Sequence, residues 1–116
     1  MRNGINKVTL VGNVGEAPRF NESDNKTMVA HFSLATNDIY VDKEGKEIKK
    51  TEWHRVTAFN KKAEIIKNYV KKGDPLYIEG KIQTSSWEDK EGVKRYSTEV
   101  ICEEFLFLST KNNNKN

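Results

Sequence analysis

Chemistry is concentrated in the run Thr51-Glu52-Trp53-His54-Arg55-Val56-Thr57-Ala58-Phe59. Along an extended chain, side chains alternate between two faces. Trp53, Arg55, Thr57 and Phe59 therefore share one face, and Glu52, His54, Val56 and Ala58 share the other. Val56 and Ala58 are small and apolar, which suits a core. The first face then sends two large aromatics outward with a guanidinium and a hydroxyl between them. A half-buried strand ordinarily turns polar groups that way. Two readings are open on the residues alone. In one, Trp53 and Phe59 are the core face and Arg55 leans to an edge. In the other, the face is a platform on which unpaired bases stack, at about 1–3 kcal/mol per base, while the guanidinium meets phosphate.

Two other segments carry the same elements. Tyr77, Glu79, Lys81, Gln83, Ser85 and Trp87 share one face of a later strand, and Leu76, Ile78, Gly80 and Ile82 form its core side. Trp87 therefore falls on the polar face unless a bulge intervenes. Its return strand brings Lys94, Arg95 and Tyr96. Tyr40 precedes an earlier turn, with Lys43, Lys46, Lys49 and Lys50 around it. Aromatics on hairpins flanked by lysines suit a wrapped, flexible strand. Each lysine can equally be an ordinary solvated charge, and Tyr40 an ordinary hairpin residue.

Other chemistries find little support. His31 and His54 are the only histidines, and neither has metal-ligand spacing. His54 is expected to make a hydrogen bond at a packed surface or an interface. Cys102 stands alone, which excludes an internal disulfide and a cysteine zinc site, and it reads as a small core or edge residue. Gly12-Asn13-Val14-Gly15 lacks the lysine and hydroxyl of a phosphate loop and reads as a strand end. No nucleophile has a base beside it, so no catalytic residue, metal or cofactor is expected.

These residues need a scaffold, and the pattern supplies one. Strands are expected at about 5–14, 27–41, 51–59, 76–87 and 94–108. A helix is expected at about 61–72, where Ala63, Ile66 and Val70 recur at helical spacing. Asn60 can cap its start and Gly73 can close its end. Ala17-Pro18-Arg19 reads as loop. Asp-Lys-Glu-Gly occurs at 42–45 and again at 89–92, and both copies read as hairpin turns. Five strands with one helix between the third and fourth is the element order of an all-β OB-fold, a five-stranded Greek-key β-barrel.

Composition is consistent with this. A chain of 116 residues fits one domain, and 35% apolar residues suffice for one core. A net charge of +3 is too small to establish a nucleic-acid partner by itself. No run reaches the ~18–20 apolar residues of a membrane helix, and no signal-peptide pattern opens the chain. A cytoplasmic domain is therefore expected over residues 1–108, with a frayed polar end at 109–116.

Six segments in order resemble the bacterial single-stranded DNA-binding protein family. They are Asn6-Lys7-Val8 with Leu10-Val11-Gly12-Asn13, Phe32-Ser33-Leu34-Ala35-Thr36, Thr51-Glu52-Trp53-His54-Arg55-Val56, Tyr69 with Lys72-Gly73, Tyr77-Ile78-Glu79-Gly80-Lys81-Ile82-Gln83-Thr84, and Arg95-Tyr96 with Thr98-Glu99-Val100. The resemblance implies an OB-fold that coats single-stranded DNA in replication, recombination and repair without strong sequence preference. It also implies a homotetramer, association with the nucleoid, and no enzymatic activity. It places stacking aromatics at Tyr40, Trp53, Phe59 and Trp87. Basic contacts fall at Lys7, Arg55, Lys61 and Lys72, with Lys49 and Lys81 added, and His54 falls at a subunit interface. Tyr40 stands where the family often has tryptophan. Asn3 stands where it often has arginine, with Arg2 adjacent. The family usually ends in an acidic tip that recruits partners. No acidic residue follows Glu104 here, so that recruitment is not expected. The rival readings are a primosome-type adaptor, or an OB module for proteins or oligosaccharides, since fold alone does not fix the ligand.

Overall fold

A computed structural model describes residues 3–22 and 26–108. Arg2 and the polar end at 109–116 lie outside the described residues. The elements are β1 (Val8–Val14), β2 (Arg19–Glu22), β3 (Met28–Val41), β4 (Glu47–Phe59), α1 (Asn60–Tyr69), β5 (Pro75–Glu88) and β6 (Lys94–Phe107).

Five of the strands close into a barrel in the order β1-β5-β6-β4-β3, and β3 returns to β1 through Asn13↔Ala35 and Val14↔Leu34. The helix joins the third and fourth barrel strands, as expected. All pairings are antiparallel except β4 with β6, which meet in parallel at Val56↔Val100 and Thr57↔Ile101. Closure brings backbones close together. A Cβ on Gly12 would stand 2.1 Å from the Ala35 carbonyl oxygen, so only glycine fits where β1 passes β3.

The core follows strand alternation. Ala30, Phe32 and Leu34 point inward from β3, Val56 and Ala58 from β4, Leu76 and Ile78 from β5, and Val100 and Cys102 from β6. Ala63 and Ile66 of α1 are fully buried against them. Cys102 is the small core residue expected. Burial pushes its thiol up to about 11, which keeps it an unreactive thiol.

Several boundaries differ from expectation, each for a local reason. Arg19 is not loop: it opens β2, which pairs with β3 from Arg19↔His31 to Glu22↔Met28. Four residues with one partly buried apolar side chain, Phe20, are too short to show a period. The chain before Val8 is not strand. Asn6 sits beside β5 instead, its side chain bonding both the N–H and the carbonyl of Ile82. β4 starts at Glu47, not near Thr51, because its first half belongs to an exposed two-stranded arm with no core face.

The helix is shorter than its stripe. Phe59 is the N-cap, without a side-chain cap, and Asn60 is the first helical residue at φ 57°. Val70 turns extended and ends the helix, its N–H bonding the Ile66 carbonyl. Gly73 therefore does not close the helix: its N–H reaches the Val14 carbonyl of β1. Ile82 keeps the inward parity of β5 but is about half exposed at the barrel rim, where the strand leaves the core. The register break lies between Glu79 and Gly80, which face Glu104 and Cys102. The extra residue is thus on β6, and β5 keeps its alternation through to Trp87.

Candidate nucleic-acid interface

On β4, Val56 and Ala58 face the core, so the opposite face turns out of the barrel. The four expected stacking aromatics are all exposed, Trp53 at 60%, Phe59 at 40%, Tyr40 at 51% and Trp87 at 50%, and so are Tyr69, Tyr96 and Phe107. This excludes the reading in which Trp53 and Phe59 are core. The indole of Trp53 is nonetheless held in place. It lies across Gly15, where a Cβ would be 2.4 Å from Cζ3 and 2.6 Å from the Ser33 hydroxyl. Phe59 closes β4 opposite Val29 and starts α1, so it is fixed by both elements.

β4 and β6 pair at only two positions, and the surface between them opens. One hollow of about 480 Å³ runs over Glu16, Arg19, His31, Arg55, Thr57 and Glu99. A second, of about 440 Å³, has Val8, Leu10, Ile82 and Trp53 along it. Arg55 and Glu99 line both. The Arg55 guanidinium spans the gap, donating from Nη1 to the Ser97 hydroxyl at 2.7 Å. Thr57, opposite His31, is buried, donates to Glu99 Oε1 at 2.5 Å and meets His31 Nδ1 at 3.1 Å. His31, Glu99 and Ser97 were not among the expected site residues. His31 had a legible signal, since it shares the outward parity of Ser33 and Ala35. Glu99 and Ser97 had none, because their place depends on the β4–β6 pairing.

The two hairpin arms carry Tyr40 and Trp87. Tyr40 stands opposite Ile48, and Trp87 opposite Arg95. Both tips are built alike. Asp42 Oδ1 accepts the N–H groups of Glu44 and Lys46 at 2.9 Å, and Asp89 Oδ1 accepts those of Glu91 and Val93 at 2.9 Å. The Val93 amide, and Arg95 with the Glu91 amide, hold the Asp89 carboxyl below the usual carboxylate range. Arg95 Nε lies 3.0 Å from Asp89 Oδ2 and ties the tip to the strand position facing Trp87.

The lysines divide. Lys49 is exposed on the first arm opposite Ile39, Lys61 on the first turn of α1, and Lys72 in the turn after it. Lys81 is half-buried on β5 opposite Ile101. None of these five lysines lines either hollow, and Lys7 differs from the others in being paired: its ammonium lies 3.3 Å from Glu79, whose Oε1 also accepts the Tyr77 hydroxyl at 2.8 Å. These contacts, the Tyr77 hydroxyl foremost, hold the Glu79 carboxyl low, and the same bond pushes the Tyr77 hydroxyl up. His54 makes the hydrogen bond expected of it, Nε2 to the Thr36 hydroxyl at 2.9 Å. Among the described residues, no group of three His, Cys, Asp or Glu side chains could hold a metal ion. What the face offers is flat rings, spaced cations and a polar gap.

Comparison with known proteins agrees with this geometry. Residues 5–108 match the Single-strand binding protein family. The chain is 43% identical over 112 residues to single-stranded DNA-binding protein 1 of Chlorobaculum tepidum, covering 96% of this chain and 69% of that protein. Its fold is similar to that of the Plasmodium falciparum SSB in complex with ssDNA, with TM-score 0.84, 30% identity, and 94% and 99% of the two chains covered. It also resembles a deletion mutant of the single-stranded DNA binding protein from Thermus aquaticus, with TM-score 0.82, 26% identity, and 97% and 54% covered.

Proposed function

This chain belongs to the Single-strand binding protein family, and we propose that it coats single-stranded DNA, without reading sequence, in replication, recombination and repair. The observation that carries this reading is the outward Trp53-Arg55-Phe59 face, with the indole seated on Gly15. Trp53, Phe59, Tyr40 and Trp87 stack on successive bases. Arg55, Lys49, Lys61, Lys72 and Lys81 neutralise phosphates. Stacking is indifferent to base identity because every base has a π-face. The action is binding alone, in the cytoplasm, and no cofactor or catalysis is involved.

The working form is a homotetramer. Val11 of β1 and Leu106 of β6 flank Tyr77 of β5 in register, and both are more than half exposed. Side chains of that kind on a sheet face, beside the Lys7–Glu79–Tyr77 network, support a contact between copies. The Thr36 bond orients His54 for a subunit contact.

The decisive experiment follows tryptophan fluorescence while poly-thymidine is added. Trp53 and Trp87 are the only tryptophans. Strong quenching by the single strand and little by duplex is expected. A folded protein whose emission ignores the single strand overturns the reading.

A further inference from the structure

The hollow between β3, β4 and β6 contains a chain of hydrogen bonds that stacking does not require. Glu99 Oε1 accepts from the Thr57 hydroxyl at 2.5 Å, and Thr57 Oγ1 lies 3.1 Å from His31 Nδ1. A carboxylate only accepts, and a hydroxyl has one proton. That proton goes to Glu99, so Thr57 Oγ1 must accept the bond from His31. The tautomer follows: Nδ1 carries the hydrogen, and the neutral ring keeps a lone pair on Nε2. Among the described residues, Nε2 has no hydrogen-bond partner, and His31 lines the hollow.

The charges around the ring are balanced. Arg19 of β2 stands directly opposite His31, and Arg55 reaches in from β4. Glu99 of β6 and Glu16 of the segment between β1 and β2 oppose them. Of the other neighbours of β3, β1 offers Asn13 and Val14 at the pairing, while α1 turns Ala63 and Ile66 inward and holds its Lys67 ammonium over the Phe20 ring of β2, 5.9 Å from the centroid and outside the hollow's lining. With two arginines against two glutamates, the state of the imidazole sets the sign of the hollow.

We propose that His31 is a proton-linked contact for the DNA strand, taking one proton from solvent onto Nε2 as the strand enters the hollow. The inference deepens the DNA-binding reading and rests on it. A phosphate oxygen and an unprotonated Nε2 are both acceptors, and they repel. Protonation makes Nε2 a charged donor aimed into the hollow, while Thr57 and Glu99 hold the other side of the ring and compensate its charge. Linkage is reciprocal. If the strand favours the protonated ring, the protonated ring favours the strand by the same factor.

The test measures affinity for a thymidine oligomer, whose bases do not titrate in the range used, between about pH 5 and pH 8 where histidine does. Affinity is expected to rise roughly fivefold toward low pH, and the salt slope to steepen by about 0.7 for one added phosphate contact. His31→Asn, which keeps a donor for Thr57, should flatten both changes. In the unaltered protein, the midpoint of the His31 imidazole proton resonance should move to higher pH when the oligomer is added. That measurement needs no variant to fold. An unmoved or lowered midpoint overturns the proposal, and so does a pH profile unchanged by His31→Asn. Absence of binding at every pH is a different result, and it overturns the DNA-binding reading itself.

Discussion

The indole of Trp53 rests on the bare Cα of Gly15, and any side chain at residue 15 would occupy the space of the ring edge. The relationship joins the loop after β1 to the outward face of β4. It makes an exposed tryptophan rigid, so little ordering remains to be done when a base stacks on it.

Gly15→Ala therefore tests orientation apart from ring identity. The nearest atoms to the new methyl belong to the Trp53 and Ser33 side chains, which can move, so the melting temperature should change little. The displaced ring should lose DNA affinity in the same direction as Trp53→Ala. The latter is expected to cost about 1–3 kcal/mol, or roughly 5- to 150-fold in Kd. Titration of all three proteins with one oligomer measures this. Wild-type affinity in Gly15→Ala would show that the seat of the ring is irrelevant.

Arg55 and Lys7 should separate in salt dependence. The Arg55 guanidinium is held by the neutral Ser97 hydroxyl, so its charge is free for phosphate. Lys7 is paired with Glu79. Plots of log affinity against log salt should lose about 0.7 in slope for Arg55→Ala and keep the parental slope for Lys7→Ala. A shallower slope for Lys7→Ala would place its ammonium on the strand.

What could be read from sequence followed from alternation and local turn chemistry. Val56 and Ala58 against Trp53 and Phe59 announce a two-faced strand, and the repeated Asp-Lys-Glu-Gly announces two like turns. What could not be read depends on neighbours distant in sequence. Glu99 becomes part of the hollow only because β6 runs parallel to β4 at Val100 and Ile101. Lys7 looks like any surface cation until β5 brings Glu79 beside it. The helix ends at Val70, before its stripe suggests: Val70 is in the core with its backbone already extended.

The Lys7–Glu79–Tyr77 network predicts a pH window. The folded carboxyl of Glu79 lies below its ordinary value, chiefly through the Tyr77 hydroxyl and then Lys7. Its stabilisation is present above the unfolded glutamate value of about 4.3 and is lost as pH falls through the lower folded value. Tyr77 is raised, chiefly by its bond to Glu79. Its contribution is present below the unfolded value of about 10 and is lost as pH rises through the folded one. Thermal melts of the parent should therefore lose stability at both ends, and Glu79→Gln should flatten the acid limb. An acid limb of equal steepness in Glu79→Gln would exclude this network as its source.

The twin turns predict a local effect with a functional cost. Asp89 Oδ1 organises the tip through the amides of Glu91 and Val93, and Oδ2 takes Arg95 from the strand position facing Trp87. Asp89→Ala removes all three bonds without touching the barrel core. Amide exchange should accelerate at Glu91, Val93 and their neighbours while barrel amides such as Ile78 and Val56 keep their protection. Trp87 then loses its fixed backing, so its share of the fluorescence quenching should fall and that of Trp53 should persist. Asp42→Ala should do the same around Tyr40 and leave both tryptophans quenched. Equal loosening of the barrel in either variant would show that the arms and the barrel unfold as one unit, and that the aromatics on the arms are not positioned independently of the platform on β4.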